Sequence, residues 1–491
     1  MRLARFTWIK TAVVLLSGFA SGAIFAAALP IELISVNTLG QQATLSFGNG
    51  RFSATNSTSG ISFNGSHIGY VTRDQNFALD AQAQASRYGQ LMQWRRGVPG
   101  SIKSVQAPIG QTTITDSTFD KPGSEFCFKA FGRDFVTTKQ TGVNFFCKQA
   151  DGSYQYAGAF GPSNYLPDFV VSFRGGVGFD IYKFDYNREV SPLGIQVAVR
   201  DRSTGTIDFV SVNNQGEFAA NDTVLADCNS DASFWPYAEV SNDGRYAVFD
   251  SCAPNLVPGD TSVSREGTDL FIRDRVLRTT TRIMRDDGQE FSGSMYDYDL
   301  SRDGRFAVFA ADGLMTQDCA EFFGPHAYLY EIATGRLECI SRDVNGELTD
   351  NGILNVRRLQ ISDDARFMAY TTRAALDPRD TNNVPDVYLY DRIKRRSVWI
   401  SDTHNGQVSN DWSTFPLISG DGNWVVFQSF ASNLIPNDQN GRIADVFVRD
   451  LRPLRAGEMP ITSVSTISFS SLIILAALTL GFGAFAARRL V

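Results

Sequence analysis

One short phrase recurs four times in the second half of this chain: SNDGRYAVF from Ser241, SRDGRFAVF from Ser301, SDDARFMAY from Ser362 and SGDGNWVVF from Ser419. The starts lie 60, 61 and 57 residues apart. Each copy leads into a second run, DLFIRD at Asp269, AYLYE at Ala327, DVYLYD at Asp386 and DVFVRD at Asp445. A fixed period of this length marks a repeat architecture in which each unit is one supersecondary structure. Each unit reads as four strands. An apolar strand ending in Ser meets an Asp-Gly turn, whose two central residues the hairpin rule expects at positive φ. An alternating strand, a longer loop, a third strand, a Thr-Gly-Arg-like turn and a fourth strand follow.

Weaker copies lie upstream. ISFNGSHIGYVT from Ile61 leads to LMQWRR at Leu91, FCFKAF at Phe126 to VNFFCK at Val143, and VVSFRGGVGFDIY from Val170 to IQVAVRD at Ile195. That makes seven units, and radially repeated four-stranded sheets predict an all-β, seven-bladed β-propeller over residues 29–452. The last unit has only three strands before Pro453. Ile31–Asn37 (IELISVN) resembles the fourth strand of unit three, IDFVSVN from Ile207, so residues 31–37 are expected to complete the last blade.

The repeats resemble the WD40-like units of TolB-type propellers, which read roughly Ser-x-Asp-Gly-Arg-x-x-x-Phe and then Asp-x-x-x-x-Asp. Ser241 to Arg245 and Ser301 to Arg305 match fully, while Ala365 and Asn423 depart from the pattern. The resemblance implies protein or ligand binding and no particular chemistry, because propellers carry many unrelated activities.

The two ends carry addressing signals. Arg2, Arg5 and Lys10 precede an apolar run that closes at Ala26-Ala27-Ala28, the pattern of a secretory signal peptide (1–28). After a linker (453–466), Ile467 to Ala487 is long enough to cross a bilayer and is followed by Arg488-Arg489, within a predicted transmembrane segment of 467–491. The positive end belongs on the cytoplasmic side, which leaves the body outside the inner membrane, in the periplasm or at the cell surface. Pro460-Ile461-Thr462-Ser463, the apolar span and the Arg pair also resemble the IPTL-type sorting tail of exosortase systems. That tail would be processed, whereas a plain transmembrane helix would remain as an anchor.

Six cysteines fall in the body, and their even number in an exported chain reads as disulfides. Sequential pairing joins Cys127 to Cys147, Cys228 to Cys252 and Cys319 to Cys339. Neither a CxxC nor a Cys/His cluster is apparent along the chain. His67, His326 and His404 fall in three different units and read as packing or surface residues.

A formal charge of −7 without a basic stripe argues against a nucleic-acid partner. The nucleophile elbow G-x-S-x-G is absent from the sequence. A Leu-x-Pro-x-Asp phrase after the second strand ends at Asp260, Asp380 and Asp438, with Asp269, Asp386 and Asp445 following. Such oxygen donors are candidate Ca²⁺ ligands, or else turn residues whose carboxylates cap their own backbone. Trp94, Trp399 and Trp424 alternate with polar residues in strands and belong to the core. Trp235 and Trp412 lie between units and are better placed for contact.

The expected function is that of a non-catalytic binding or scaffold module at the cell envelope, with an envelope protein or a carbohydrate as partner. Its working surface would be the face of long loops, carrying Trp235, Asp260, Asp380, Trp412 and Asp438. The alternative is a carbohydrate-active or other enzyme with acids gathered at the central channel.

Overall fold

The structure is a computed structural model that describes residues 29–36, 41–42, 56–72, 90–98, 101–104, 111–119, 126–132, 142–148, 154–156, 169–175, 178–185, 195–220, 238–260, 269–291, 295–312, 315–319, 325–349 and 357–456. The signal-peptide and transmembrane expectations, along with Trp235 and Cys228, lie outside these residues. Among the described residues no helix is long and apolar enough to cross a membrane.

After β1 (Ile31–Leu33), the chain lays down its strands in runs. The first run is β2 (Asn56–Ile61), β3 (His67–Thr72), β4 (Gln90–Arg95) and β5 (Lys103–Ser104). The second is β6 (Gln111–Phe119), β7 (Phe126–Gly132), β8 (Gly142–Lys148) and β9 (Tyr154–Tyr156). The third is β10 (Phe169–Gly175), β11 (Phe179–Asp185), β12 (Ile195–Asp201) and β13 (Ile207–Phe209). The fourth is β14 (Glu239–Val240), β15 (Tyr246–Ser251), β16 (Asp269–Asp274) and β17 (Thr279–Arg282). The fifth is β18 (Met295–Leu300), β19 (Phe306–Asp312), β20 (Pro325–Glu331) and β21 (Arg336–Cys339). The sixth is β22 (Arg357–Ile361), β23 (Phe367–Thr372), β24 (Asp386–Asp391) and β25 (Arg396–Trp399). The last is β26 (Ser413–Ile418), β27 (Trp424–Ser429) and β28 (Asp445–Asp450), ending in one short helix, α1 (Arg452–Ala456). Each run is one four-stranded antiparallel sheet, and β1 supplies the fourth strand of the last. The chain is thus nearly all β and of the β-propeller class.

The recurring Ser-x-Asp-Gly phrase is a capped turn. Ser241 Oγ donates to Asp243 Oδ1, Arg245 N–H donates to the same oxygen, and Tyr246 N–H donates to Ser241 Oγ. Ser301, Ser362 and Ser419 repeat the arrangement, and Ser62 with Asn64 repeats it in the first sheet. Only the residue after the Asp or Asn takes positive φ: Gly65, Gly244, Gly304, Ala365 and Gly422. The Asp-Gly pair is therefore not a two-residue turn with both residues left-handed. The Ser and Asp side chains satisfy the turn amides, so the carboxylate residue stays in the ordinary region and one left-handed residue ends the turn.

These turns also meet each other. Asn242 N–H donates to the carbonyl of Arg302, Asp363 N–H to that of Gly420, and Asp421 N–H to that of Phe63 in the first sheet. First strands of neighbouring sheets lie side by side: β2 against β6, β6 against β10, β14 against β18, β18 against β22, β22 against β26, and β26 against β2. Asp297 and Asp299 on β18 accept the backbone N–H groups of Leu359 and Ile361, tying β18 to the next sheet. The core sits between sheets, where alternate side chains such as Val308, Leu329, Met368 and Tyr388 interdigitate.

In the last sheet Ile31 opposes Arg449 and Leu33 opposes Phe447. Arg449 is fully buried; its guanidinium donates to the carbonyls of Leu29, Ile400 and Asp402 and pairs with the Asp402 carboxylate at 2.9 Å. The N-terminal strand is therefore held by sheet pairing and by one buried cation.

Candidate functional site

The three Leu-x-Pro-x-Asp loops have a counterpart in the fifth sheet at Met315–Cys319. Leu256, Met315, Leu376 and Leu434 are all buried, and the last three carbonyls accept from Asp286, Val344 and His404 of the preceding unit. The residue four places on is Asp260, Cys319, Asp380 or Asp438. At the start of the third strand stand Asp269, His326, Asp386 and Asp445, fixed as equivalents because the next residue's carbonyl accepts from Ile283, Ile340, Ile400 and Ile34. On the fourth strand, Arg282, Cys339 and Trp399 oppose Phe271, Tyr328 and Tyr388, each two residues past that start. Three chain positions thus meet in a buried node that recurs from sheet to sheet with different chemistry.

In the fourth sheet the node is ionic. Arg282 pairs with Asp260 at 2.7 Å, Asp269 at 3.4 Å and Glu290 at 2.6 Å, and the Asp260 side chain is 3% exposed. The place between the two aspartates is taken by the chain's own cation, which corrects their assignment as Ca²⁺ ligands and that of Asp260 as a surface contact. In the sixth sheet Tyr388 Oη donates to Asp380 at 2.8 Å, while Trp399 Nε1, Ser401, Ser409 and Asn382 donate to Asp386. In the last sheet Ser35 and Gln42 donate to Asp445. Burial, helped by the neighbouring Asp380 and Asp438 carboxylates, pushes Asp386 and Asp445 each up to about 7. Asp380 is buried and raised by the same cause, so it too is interior and unavailable to a partner. Asp438 caps its own loop by accepting from Asn440 and Gly441 N–H. These donor-rich surroundings suit carboxyl groups that knit loops to strands, the second of the two readings of the phrase.

The fifth sheet departs from the series. Cys319 and Cys339 are joined in a disulfide, and His326 replaces the aspartate. Cys319 Sγ, Cys339 Sγ and a His326 ring nitrogen lie within 4.8 Å of one another. His326 is 1% exposed, neither ring nitrogen has a hydrogen-bond partner among the described residues, and burial lowers its pKa. A Cys/His cluster invisible along the chain is therefore present in space. The spacing hid it; the signal was the loss of Asp at a position where the fourth, sixth and last units keep one. Of the remaining cysteines, Cys252 is disulfide-bonded, and Cys127 and Cys147 are backbone partners in the register of β7 and β8.

On the long-loop side, Trp412 is 42% exposed and stacks on Phe430 with ring centroids 4.8 Å apart. Phe430 N–H donates to the Trp412 carbonyl, and Asp411 next to it pairs with the exposed Arg442 at 2.7 Å. Asn433 braces the platform by accepting from Asn410 N–H and donating to the Val408 carbonyl. Phe218, packed edge-on against Phe209, is the other large exposed apolar group on this side among the described residues. Trp94, Trp399 and Trp424 are core, in keeping with their alternation. The tight-turn side is not bare: Val98, Val276, Leu277 and Ile393 are exposed there. At the inner strands, Asp297 and Asp299 are committed to neighbouring backbone amides, as described above.

No family model matches the chain, and no curated protein matches it. Among solved structures it is similar to an oligogalacturonate lyase of Vibrio parahaemolyticus, at 11% identity and a TM-score of 0.47 over 86% of this chain and 97% of that one. It is also similar to the β-propeller domain of the Trilobed protease of Pyrococcus furiosus, at 10% identity and a TM-score of 0.40 over 66% and 79%. A TolB candidate of Agrobacterium tumefaciens aligns at 12% identity and a TM-score of 0.32 over 80% and 90%.

Proposed function

We propose that the seven sheets are the blades of one closed β-propeller that acts as a non-catalytic binding module of the cell envelope through its long-loop face. Ring closure rests on the turn bond that ties the last sheet to the first as it ties the sixth to the last, and on the β1 strand in the last sheet. Export rests on the 1–28 leader pattern and on a disulfide, which belongs to oxidising compartments. The 467–491 segment would tether the body or sort it.

The observation that carries the binding assignment is the braced Trp412–Phe430 stack. A large aromatic held half out of water by a fixed partner offers apolar area at little further entropy cost, the property of interface anchors. The adjoining Asp411–Arg442 pair supplies a polar rim, suited to an envelope protein or a carbohydrate. The test is capture from envelope extract by the body from Leu29 to Arg455, comparing wild type, Trp412→Ala and the tight-turn variant Val276→Ser/Leu277→Ser. Trp412→Ala should lower capture about tenfold or more with little change in Tm. Loss confined to the tight-turn variant would place the working surface on the other side.

A further inference from the structure

The fifth sheet breaks the rule that the node satisfies itself. Where Arg282 answers Asp260 and Asp269, and where Trp399, Tyr388 and two serines answer Asp380 and Asp386, His326 has two buried nitrogens and no partner among the described residues. A buried polar group left unpaired is costly, and an apolar residue would avoid that cost. The groups His326 does face are the two sulfurs, which as a disulfide are poor hydrogen-bond partners. As thiolates they would be metal ligands.

We propose that reduction of the Cys319–Cys339 disulfide converts this node into a Zn²⁺ site ligated by Cys319 Sγ, Cys339 Sγ and a ring nitrogen of His326. A dithiol reductant supplies two electrons and two protons, breaking the S–S bond to give two thiols while the reductant closes its own disulfide. Zn²⁺ then displaces one proton from each thiol. The imidazole in its neutral form binds through a lone pair and gives up none. Thiolate and imidazole are the ligand types zinc prefers, at about 2.3 Å and about 2.0–2.1 Å, and three protein ligands leave a fourth position for water. Tetrahedral angles with those lengths put the sulfurs roughly 3.7 Å apart. The sulfurs need only side-chain rotation to part that far, since both cysteines are already anchored with Cα atoms 5.9 Å apart.

The consequence is a crosslink that survives a change of redox state. The loop at 315–319 would stay fastened to the end of β21 by S–S when oxidised and by S–Zn–S when reduced.

The test is anaerobic Co²⁺ titration of the full chain after phosphine reduction, followed by displacement with Zn²⁺. Reduced wild type should show thiolate-to-cobalt charge transfer and strong tetrahedral ligand-field bands, and the oxidised protein neither. His326→Leu should weaken binding at least about tenfold and shift the ligand-field bands, and Cys319→Ser should abolish them. Oxidised His326→Leu should keep the disulfide and a Tm no lower than wild type, which separates lost ligation from lost folding. Cobalt spectra unchanged by His326→Leu would show that His326 is not a ligand and overturn the proposal. So would a reduced wild type that takes up no cobalt.

Discussion

The indole of Trp424 in the last sheet lies against the α-carbon of Gly65 in the first, so that a β-carbon at Gly65 would come within 2.4 Å of Trp424 Cδ1. Gly65 also holds a φ of 64°, and the Arg96 guanidinium covers the same indole at 3.6 Å from its centroid. One glycine thus serves the turn and lets the two ends of the repeat array touch. Gly304 does the same against Tyr246 within the array.

Gly65→Ala should therefore destabilise the body by about 2–4 kcal/mol, combining left-handed strain with overpacking against a ring that cannot retreat. Gly97, which also has positive φ but open space around its α-carbon, is the control. Gly97→Ala should cost only about 1–2 kcal/mol. Chemical denaturation of both variants reads the difference, and equal losses would mean that the Trp424 contact contributes nothing.

The N-terminal strand should depend on Arg449. Its guanidinium binds the Leu29 carbonyl from inside the last sheet, so Arg449→Met frees that segment and leaves Asp402 buried with a lost partner. Removing one member of a buried pair costs about 3–5 kcal/mol. Hydrogen exchange should show the amides of residues 31–34 losing protection before those of β27. Uniform loss along the last sheet would refute a special role for this cation.

Much of this was legible in the repeats and some was not, for physical reasons. The period exposed the Ser-x-Asp-Gly turn because the turn uses side chains locally, and Ile31–Asn37 was recognisable because β1 copies a fourth strand. The hairpin rule misjudged the turn type, since it counts Asp-Gly and overlooks the serine that caps it. Asp260 and Asp380 read as surface ligands because nothing local shows that Arg282 and Tyr388, 22 and 8 residues away, turn back to meet them. His326 is buried, as a packing residue would be, and the two cysteines beside it arrive only through the fold.

Calcium should have no effect on the fourth sheet, because Arg282 already occupies the charge site. Excess Ca²⁺ or a chelator is expected to leave the wild-type Tm unchanged. Arg282→Ala should cost about 3–5 kcal/mol by stranding Asp260 and Asp269 in the interior. A wild-type Tm that rises with calcium would restore the metal reading of these loops.

Asp386 should make stability fall as pH rises. Its carboxyl titrates near 3.8 when exposed and is pushed up to about 7 by burial, so between those values the folded protein holds a proton that the unfolded chain releases. Folding is then favoured at the acid end, and the advantage is lost as pH climbs through 7, by at most about 1.4 kcal/mol per pH unit for this one group. Asp386→Asn mimics the protonated form. Its oxygen can still accept from Ser401, Ser409 and Trp399, and only the Asn382 amide must turn to meet the new NH₂. Denaturation across pH 4 to 8 should show the variant gaining on wild type steadily up to neutrality and then holding a constant lead. Asp445→Asn, whose carboxyl is raised to the same range by the same cause, should behave alike, and parallel pH curves for variant and wild type would show that neither carboxyl holds its proton in the fold.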